Sequence, residues 1–276
     1  MNIGDMFMEV KAIMCDVDGM LLTSEQVVSS FTVEMIKQAR EQGILFGLST
    51  GRDVNSVKKL LNVWRIEGLV DVIVGTGGSE IYDYRLDIFQ SNYPLDGELI
   101  KLIIEHYKDM DANFAIPEDG ILFSPKDDRY IQELATADRV PYKVVDFKEY
   151  LKELKAKLII ICDEDYMDKV IEISTTFHND CFKSSSLKTA SELYEYMDPR
   201  VTKTNGLIKA MGVHGIDIKE IVTFDDADND YDMTLNAGVS VVMENGSEKT
   251  KSVADAIIDD NNHDGIGNYI QKYILK

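Results

Sequence analysis

The chain has 276 residues, enough to bury a core without disulfides or metal staples, whether as one large domain or two modest ones. Its apolar share of 45% and charged share of 28% are those of a folded globular protein, not of a disordered chain. With 29 bases against 49 acids the formal charge is −20, no run supplies the basic stripe of a nucleic-acid binder, and the longest apolar runs, such as Leu158 to Cys162, are too short to span a bilayer. Within the first fifteen residues Asp5 and Glu9 face a single base, Lys11, so no secretory signal is expected there. Three cysteines (Cys15, Cys162, Cys181) make no disulfide framework, and buried thiols in a reducing cytoplasm are expected.

Strand-like apolar runs alternate with amphipathic ones from the start. Val10 to Cys15 predicts a strand, Phe31 to Gln42 a helix, Ile44 to Leu48 a strand, Val54 to Ile66 a helix and Val72 to Val74 a strand. Short continuous apolar runs separated by crossover helices predict an α/β fold, a Rossmann-like parallel sheet with helices on both faces. The middle reads differently: a helix from Leu95 to Tyr107, short strands near Ile121 and Val144, a strand at Leu158, a helix from Tyr166 to Phe177, and strands around Phe182 and Leu193. That predicts a smaller α+β unit inserted into the first. The closing stretch returns to the first pattern, with a helix near Lys203 to Met211, strands Ile221 to Phe224 and Val239 to Met243, and a last helix from Ile266.

The first strand runs into Cys15-Asp16-Val17-Asp18-Gly19-Met20. Ligands of open α/β sheets bind beyond the carboxyl ends of the strands, and an extended backbone would put Asp16 and Asp18 on one side. Two carboxylates held together repel unless a cation or a shared proton relieves them, so the pair reads as a metal or acid/base site; a solvated Asp-Gly turn is the alternative. A second acidic cluster, Asp225, Asp226, Asp228, Asp230 and Asp232, follows the strand at Ile221. A calcium loop starting at Asp226 would need glycine at Tyr231 and glutamate at Ala237, so that reading fails. An acidic helix start suits the helix dipole but does not explain a cluster abutting a buried strand.

Ser49-Thr50-Gly51-Arg52 ends the second strand and opens a helix, offering a hydroxyl and backbone N–H groups to an anion. Gly47-Leu48-Ser49-Thr50-Gly51 also matches the nucleophile elbow of serine hydrolases, with His214 or His263 as base, although no oxyanion segment precedes it and both acidic clusters would stand idle. Lys203-Thr204-Asn205-Gly206 begins a later helix, where a single lysine is ordinarily a surface residue. Gly75-Thr76-Gly77-Gly78-Ser79-Glu80 lacks the last glycine of a dinucleotide fingerprint and reads as a turn into the inserted unit.

Acidic pair after strand one, Thr-Gly after strand two, insert, lysine at a helix start, acidic cluster after a strand: in that order the features resemble the haloacid dehalogenase (HAD) superfamily, and within it the Cof-type phosphatases with a large α/β cap. Asp264-Gly265 matches that group's Asp-Gly before the last helix. The resemblance implies a HAD core at residues 1–84 and 199–276 and a cap at 85–198. It implies a cytoplasmic, magnesium-dependent phosphatase acting on a small phosphorylated metabolite, with no nucleic-acid or membrane partner. Carried over by position, Asp16 is the nucleophile and Asp18 the general acid and base. Thr50, Gly51, Lys203 and Asn229 bind the phosphate, and Asp16, Asp18 (by its carbonyl), Asp226 and Asp230 hold Mg2+. Met20 stands where the first motif has Thr, and Asp225 where the fourth has Gly. The resemblance also keeps a phosphomutase of the same superfamily in view, since related capped members move phosphate between sugar positions. The two departures keep in view a catalytically weak metal- and phosphate-binding regulatory protein.

Overall fold

A computed structural model describes residues 9–276; the reading of the N-terminus as no secretory signal falls mostly on residues outside that range. The chain opens with β1 (Ala12–Cys15), α1 (Ser30–Glu41), β2 (Leu45–Ser49), α2 (Val54–Leu60) and β3 (Val72–Gly75). A hairpin of β4 (Glu80–Asp83) and β5 (Ile88–Ser91) follows. Next come α3 (Gly97–His106), β6 (Asn113–Glu118), β7 (Ile121–Ser124), α4 (Arg129–Asp138), β8 (Tyr142–Val144) and α5 (Phe147–Tyr150). After β9 (Leu158–Ile161), α6 (Met167–Ser174), β10 (Ser185–Lys188) and β11 (Leu193–Met197) the pattern changes back. It closes with α7 (Lys203–Gly212), β12 (Ile221–Asp225), α8 (Tyr231–Asn236), β13 (Val239–Met243), α9 (Glu248–Lys251), β14 (Ala256–Ile258) and α10 (Gly265–Tyr269).

Two compact units result. The first comprises the described residues up to Gly51, Leu60–Phe89 and Thr202–Lys276. Its eight-stranded sheet runs β14-β13-β12-β1-β2-β3-β4-β5. The six strands from β14 to β3 are parallel, as the uninterrupted apolar runs predict, and β4 turns back antiparallel to β3. Alternation along β12 divides the two faces. Thr223 hydrogen-bonds Asp225, which is bonded by Thr234 of α8, whereas the Phe224 ring meets Tyr269 of α10 edge-on at 5.6 Å. Met14, Val72, Val74, Leu207 and Met211 form the core beneath α7. Each such side chain, once buried, contributes roughly 1.5–3 kcal/mol.

The second unit comprises Arg52–Lys59 and Gln90–Val201. Its sheet runs β10-β11-β9-β6-β7-β8. The four residues of β9 show why a continuous apolar run is needed. Leu158 and Ile160 join a core with Ile100 and Ile103 of α3 and Val170 of α6, while Ile159 and Ile161 join one with Ile131 and Leu134 of α4. Within this unit Asp53 accepts the Gly120 N–H at 2.8 Å and Lys157 pairs with Glu195 at 2.7 Å, both ends buried.

Several expectations need correction. The helix from Val54 stops at Leu60, not Ile66, because Arg65 turns left-handed (φ 66°) and the chain folds back so that Trp64 can accept the Val28 N–H. The strand expected near Phe182 lies at Ser185–Lys188. The glycine-rich turn at Gly75 leads into the β3–β4 hairpin of the same sheet, not directly into the insert. Cys15 and Cys162 are buried, but Cys181 is exposed. The sequence reading also passes over β4, β5, β6, α4 and β14, the third carrying Pro117, which argues against a strand interior. Among the described residues no helix is long and apolar enough to cross a membrane.

One buried carboxylate sets the register of β2 from outside the strand. Asp71 accepts from the Phe46 N–H at 2.9 Å and from the Arg40 guanidinium at 3.1 and 2.8 Å. Asp71→Ala leaves both donors without this acceptor, and unfolding free energy from urea titration should fall by about 2–3 kcal/mol.

Candidate active site

The carboxyl ends of β1 and β12 lie side by side, since both strands are parallel and Asp16 donates its backbone N–H to Phe224 O at 2.9 Å. Asp16 is buried there. The first residue of α7 reaches the same point: Lys203 Nζ donates to Asp16 Oδ1 at 2.5 Å and also to Asp230 Oδ1. Thr202 caps that helix through Asn205 N at 3.1 Å. Lys203, which the resemblance makes a phosphate-binding residue, is therefore buried between two carboxylates.

Asp226 completes the cluster, since ligand atoms of Asp16, Asp226 and Asp230 all lie within 4.8 Å of one another. A 226–230 turn presents the last two, with Asp230 Oδ2 accepting the Ala227 N–H at 3.0 Å. Ser247 N holds the Asp226 carbonyl at 2.7 Å, and Thr250 Oγ1 holds that of Ala227 at 2.8 Å. Asp18 is exposed and not part of this carboxylate group. The backbone does not stay extended from Asp16 as expected: the chain coils over Val17–Leu21, and Gly19 turns to φ 80°. Glycine is required there twice over, because a Cβ would also lie 2.5 Å from Asp226 Oδ2.

Thr50 is buried at the end of β2. Its N–H bonds Val74 O at 2.9 Å and its carbonyl accepts the Gly77 N–H at 3.0 Å, so the glycine-rich turn braces the Thr50-Gly51 segment. Gly78 of that turn (φ 115°) lies against α7. A Cβ there would sit 2.1 Å from the Thr202 carbonyl oxygen, and one on Gly206 would sit 2.8 Å from Gly78 Cα. Asn229 is half-buried with its Oδ1 unpartnered. The loop after Asp18 is held from outside by Asn261, which donates to Leu22 O at 2.6 Å, and by Asn262, which accepts Ser24 N at 2.9 Å. Sequence reasoning read Gly77 and Gly78 only as part of a turn and missed Asn261 and Asn262, for which the signal was the neighbouring Asp264-Gly265.

The serine-hydrolase elbow fails on this geometry. Ser49 is fully buried with its Oγ unpartnered, His214 is 2.5 Å from Asp83, and His263 is 2.8 Å from Asp260. Gly47, the elbow's first glycine, has a packing reason, since a Cβ would lie 2.5 Å from Met14 Sδ and 2.8 Å from Val72 O.

The electrostatics call for a further positive charge. Burial, then Asp230 and Asp226, push the Asp16 carboxyl well up against the pull of Lys203; burial and Asp230 push Asp226 up to about 7. Burial works against the Lys203 ammonium, but Asp16 and Asp230 outweigh it and keep it charged. Three carboxylates thus face one ammonium, and Asp226 Oδ1 is buried without a partner. Oxygen donors of this kind, with an orphaned one among them, fit a hard dication such as Mg2+.

The chain is similar to several known proteins. The family model for haloacid dehalogenase-like hydrolases matches residues 13–270. A 5-amino-6-(5-phospho-D-ribitylamino)uracil phosphatase of Bacillus subtilis, YwtE, is 26% identical over 292 residues, covering 96% of this chain and 98% of its own. A second of that name, YitU, is 24% identical over 263 residues, covering 94% and 95%. Among solved structures, a haloacid dehalogenase-like hydrolase from Bacteroides thetaiotaomicron superposes with a TM-score of 0.83 at 24% identity, covering 95% of this chain and 99% of that one.

Two outcomes are expected. Gly78→Ala drives a methyl into the Thr202 carbonyl, which must shift the first turn of α7 and draw Lys203 from Asp16. If these residues carry the reaction, activity should drop by at least about tenfold, the scale of loss when reacting groups are displaced by ångström-scale shifts, while circular dichroism stays that of the wild type. The second concerns pH. Unfolded aspartate titrates near about 3.9, whereas Asp226 titrates near 7 in the fold. Between those values the folded chain holds the extra proton, so metal-free stability falls as pH rises. A dication binds the ionised form, so magnesium should raise the melting temperature more at about pH 8 than at about pH 6. An equal shift at both would count against Asp226 as a ligand.

Proposed function

The chain belongs to the haloacid dehalogenase-like hydrolases, and from that premise we propose that it is a magnesium-dependent phosphatase. Its substrate is a small phosphomonoester such as a sugar or sugar-alcohol phosphate, cleaved through an aspartyl-phosphate. The observation that carries this reading is Asp16, buried at a strand end with Lys203 on one oxygen and Asp226 and Asp230 close by. The names of the Bacillus subtilis relatives, both phosphatases of a phosphoribityl compound, favour the substrate class.

In the proposed reaction an Asp16 carboxylate oxygen attacks phosphorus and the ester oxygen leaves with a proton from Asp18. Asp18 then takes a proton from water, whose oxygen attacks the phosphorus of the acyl phosphate; the P–O bond to Asp16 breaks and inorganic phosphate departs. Thr50, the Gly51 N–H, Lys203 and Asn229 hold the phosphoryl oxygens, the ammonium offsetting charge that a −20 chain would otherwise repel. The Asp16 and Asp226 carboxylates and the Asp18 carbonyl, with Asp230 behind them, would hold Mg2+, which supplies further positive charge for the phosphoryl group when bound. On the resemblance, residues 85–198 are the cap that recognises the rest of the substrate. The protein works in the cytoplasm.

Asp16→Asn cannot form the acyl phosphate, so turnover of a sugar phosphate should vanish with circular dichroism unchanged. EDTA should abolish wild-type activity and magnesium restore it. The product should be free phosphate, not an isomerised sugar phosphate. Near wild-type turnover by Asp16→Asn would sink the mechanism.

A further inference from the structure

Asp225, where the family pattern has glycine, is not used by the reaction above, and it is fully buried with no basic group bonded to it. Its Oδ2 receives two hydroxyls, Thr223 Oγ1 at 2.9 Å on the same strand and Thr234 Oγ1 at 2.8 Å on α8. Its Oδ1 has no partner. Thr234 Oγ1 also lies 3.1 Å from the backbone carbonyl of Asp230. One buried oxygen thus joins the end of β12, the first turns of α8 and the peptide of Asp230. Asp230 in turn fixes the loop: its Oδ2 accepts the Ala227 N–H and its Oδ1 accepts from Lys203. The 226–230 turn is therefore closed from behind by Asp225 and Thr234 and from in front by Lys203. A glycine at 225 could make neither hydroxyl contact.

We propose that Asp225 is a positioning residue that acts through Thr234 to hold Asp226 and Asp230 in place for a divalent cation. The proposal rests on the metal site of the preceding reading and goes beyond it in assigning the turn's geometry to two residues that touch neither metal nor substrate. A group orienting a metal ligand from behind typically contributes a factor of about 10–100 in metal affinity.

Magnesium binding measured by calorimetry on the purified full chain, with no substrate present, tests this apart from activity. Thr234→Val and Asp225→Ala should each weaken magnesium binding by about tenfold. The double variant should be no weaker than the worse single, because both changes break one link. Asp225→Asn keeps the oxygen that receives the hydroxyls but buries an amide in the unpartnered position. It should melt lower than the wild type while keeping magnesium affinity within about twofold, a split that a merely structural role would not produce. Wild-type affinity in Thr234→Val and Asp225→Ala overturns the proposal and leaves the phosphatase reading standing. Affinity in Asp225→Asn as weak as in Asp225→Ala also overturns it, showing that charge and not position matters. If Asp225→Ala does not fold, Thr234→Val and Asp225→Asn decide between the same outcomes. A wild-type chain that binds no magnesium overturns this proposal and the metal site together.

Discussion

Crowding like charges out of water is the constraint on which the rest of the first unit depends. Two unit charges about 4 Å apart interact by about 4 kcal/mol in a protein-surface environment, and more when buried. Three carboxylates with ligand atoms within 4.8 Å of one another are therefore tolerable only in a frame that supplies positive charge and resists relaxation. Lys203 is the frame's own contribution. It is buried, so withdrawing it would leave the carboxylates uncompensated, and the fold invests accordingly in bringing α7 to the sheet.

That investment explains features that would otherwise look incidental. Gly78 and Gly206 let α7 touch the turn after β3 with no side chain between them. The same turn donates Gly77 N–H to Thr50, so the hydroxyl-bearing strand end and the lysine-bearing helix start are fixed by one short segment. On the other side Gly19 lets the loop after Asp16 lie against Asp226, and Asn261 and Asn262 hold that loop from the last turn before α10. Residues as far as 239 positions apart thus share one site because parallel strands end at one edge.

What could be read in the sequence follows from what periodicity encodes. Buried parallel strands announce themselves as apolar runs, so β1, β2, β3, β12 and β13 were legible to within a residue or two. Acid-rich strand ends were equally visible, and Asp16, Lys203, Asp226 and Asp230 do meet. Edge strands were not: β5 is short and largely exposed, so its residues carry no burial pattern. Lys203 was legible only through the order of the motifs, since a lysine at a helix start looks the same whether it faces water or two carboxylates. The glycine contacts were hidden for a related reason, because close approach is a property of two distant segments and leaves no mark on either alone.

The position of Asp225 shows how far strand alternation reaches into chemistry. Because β12 is buried on both faces, a side chain at 225 must point toward the α7–α8 side if Phe224 points toward α10. Asp226 follows where the strand ends and the chain leaves the sheet, so two adjacent aspartates take unlike roles. One faces the open end of the sheet among possible metal ligands; the other is sealed behind it and meets only hydroxyls. Burying a carboxyl with one oxygen unpartnered is costly in isolation. It is tolerated where the hydroxyls of Thr223 and Thr234 are themselves buried and would otherwise lack this shared acceptor, so the acid and the two threonines form one polar unit whose parts are separately unfavourable.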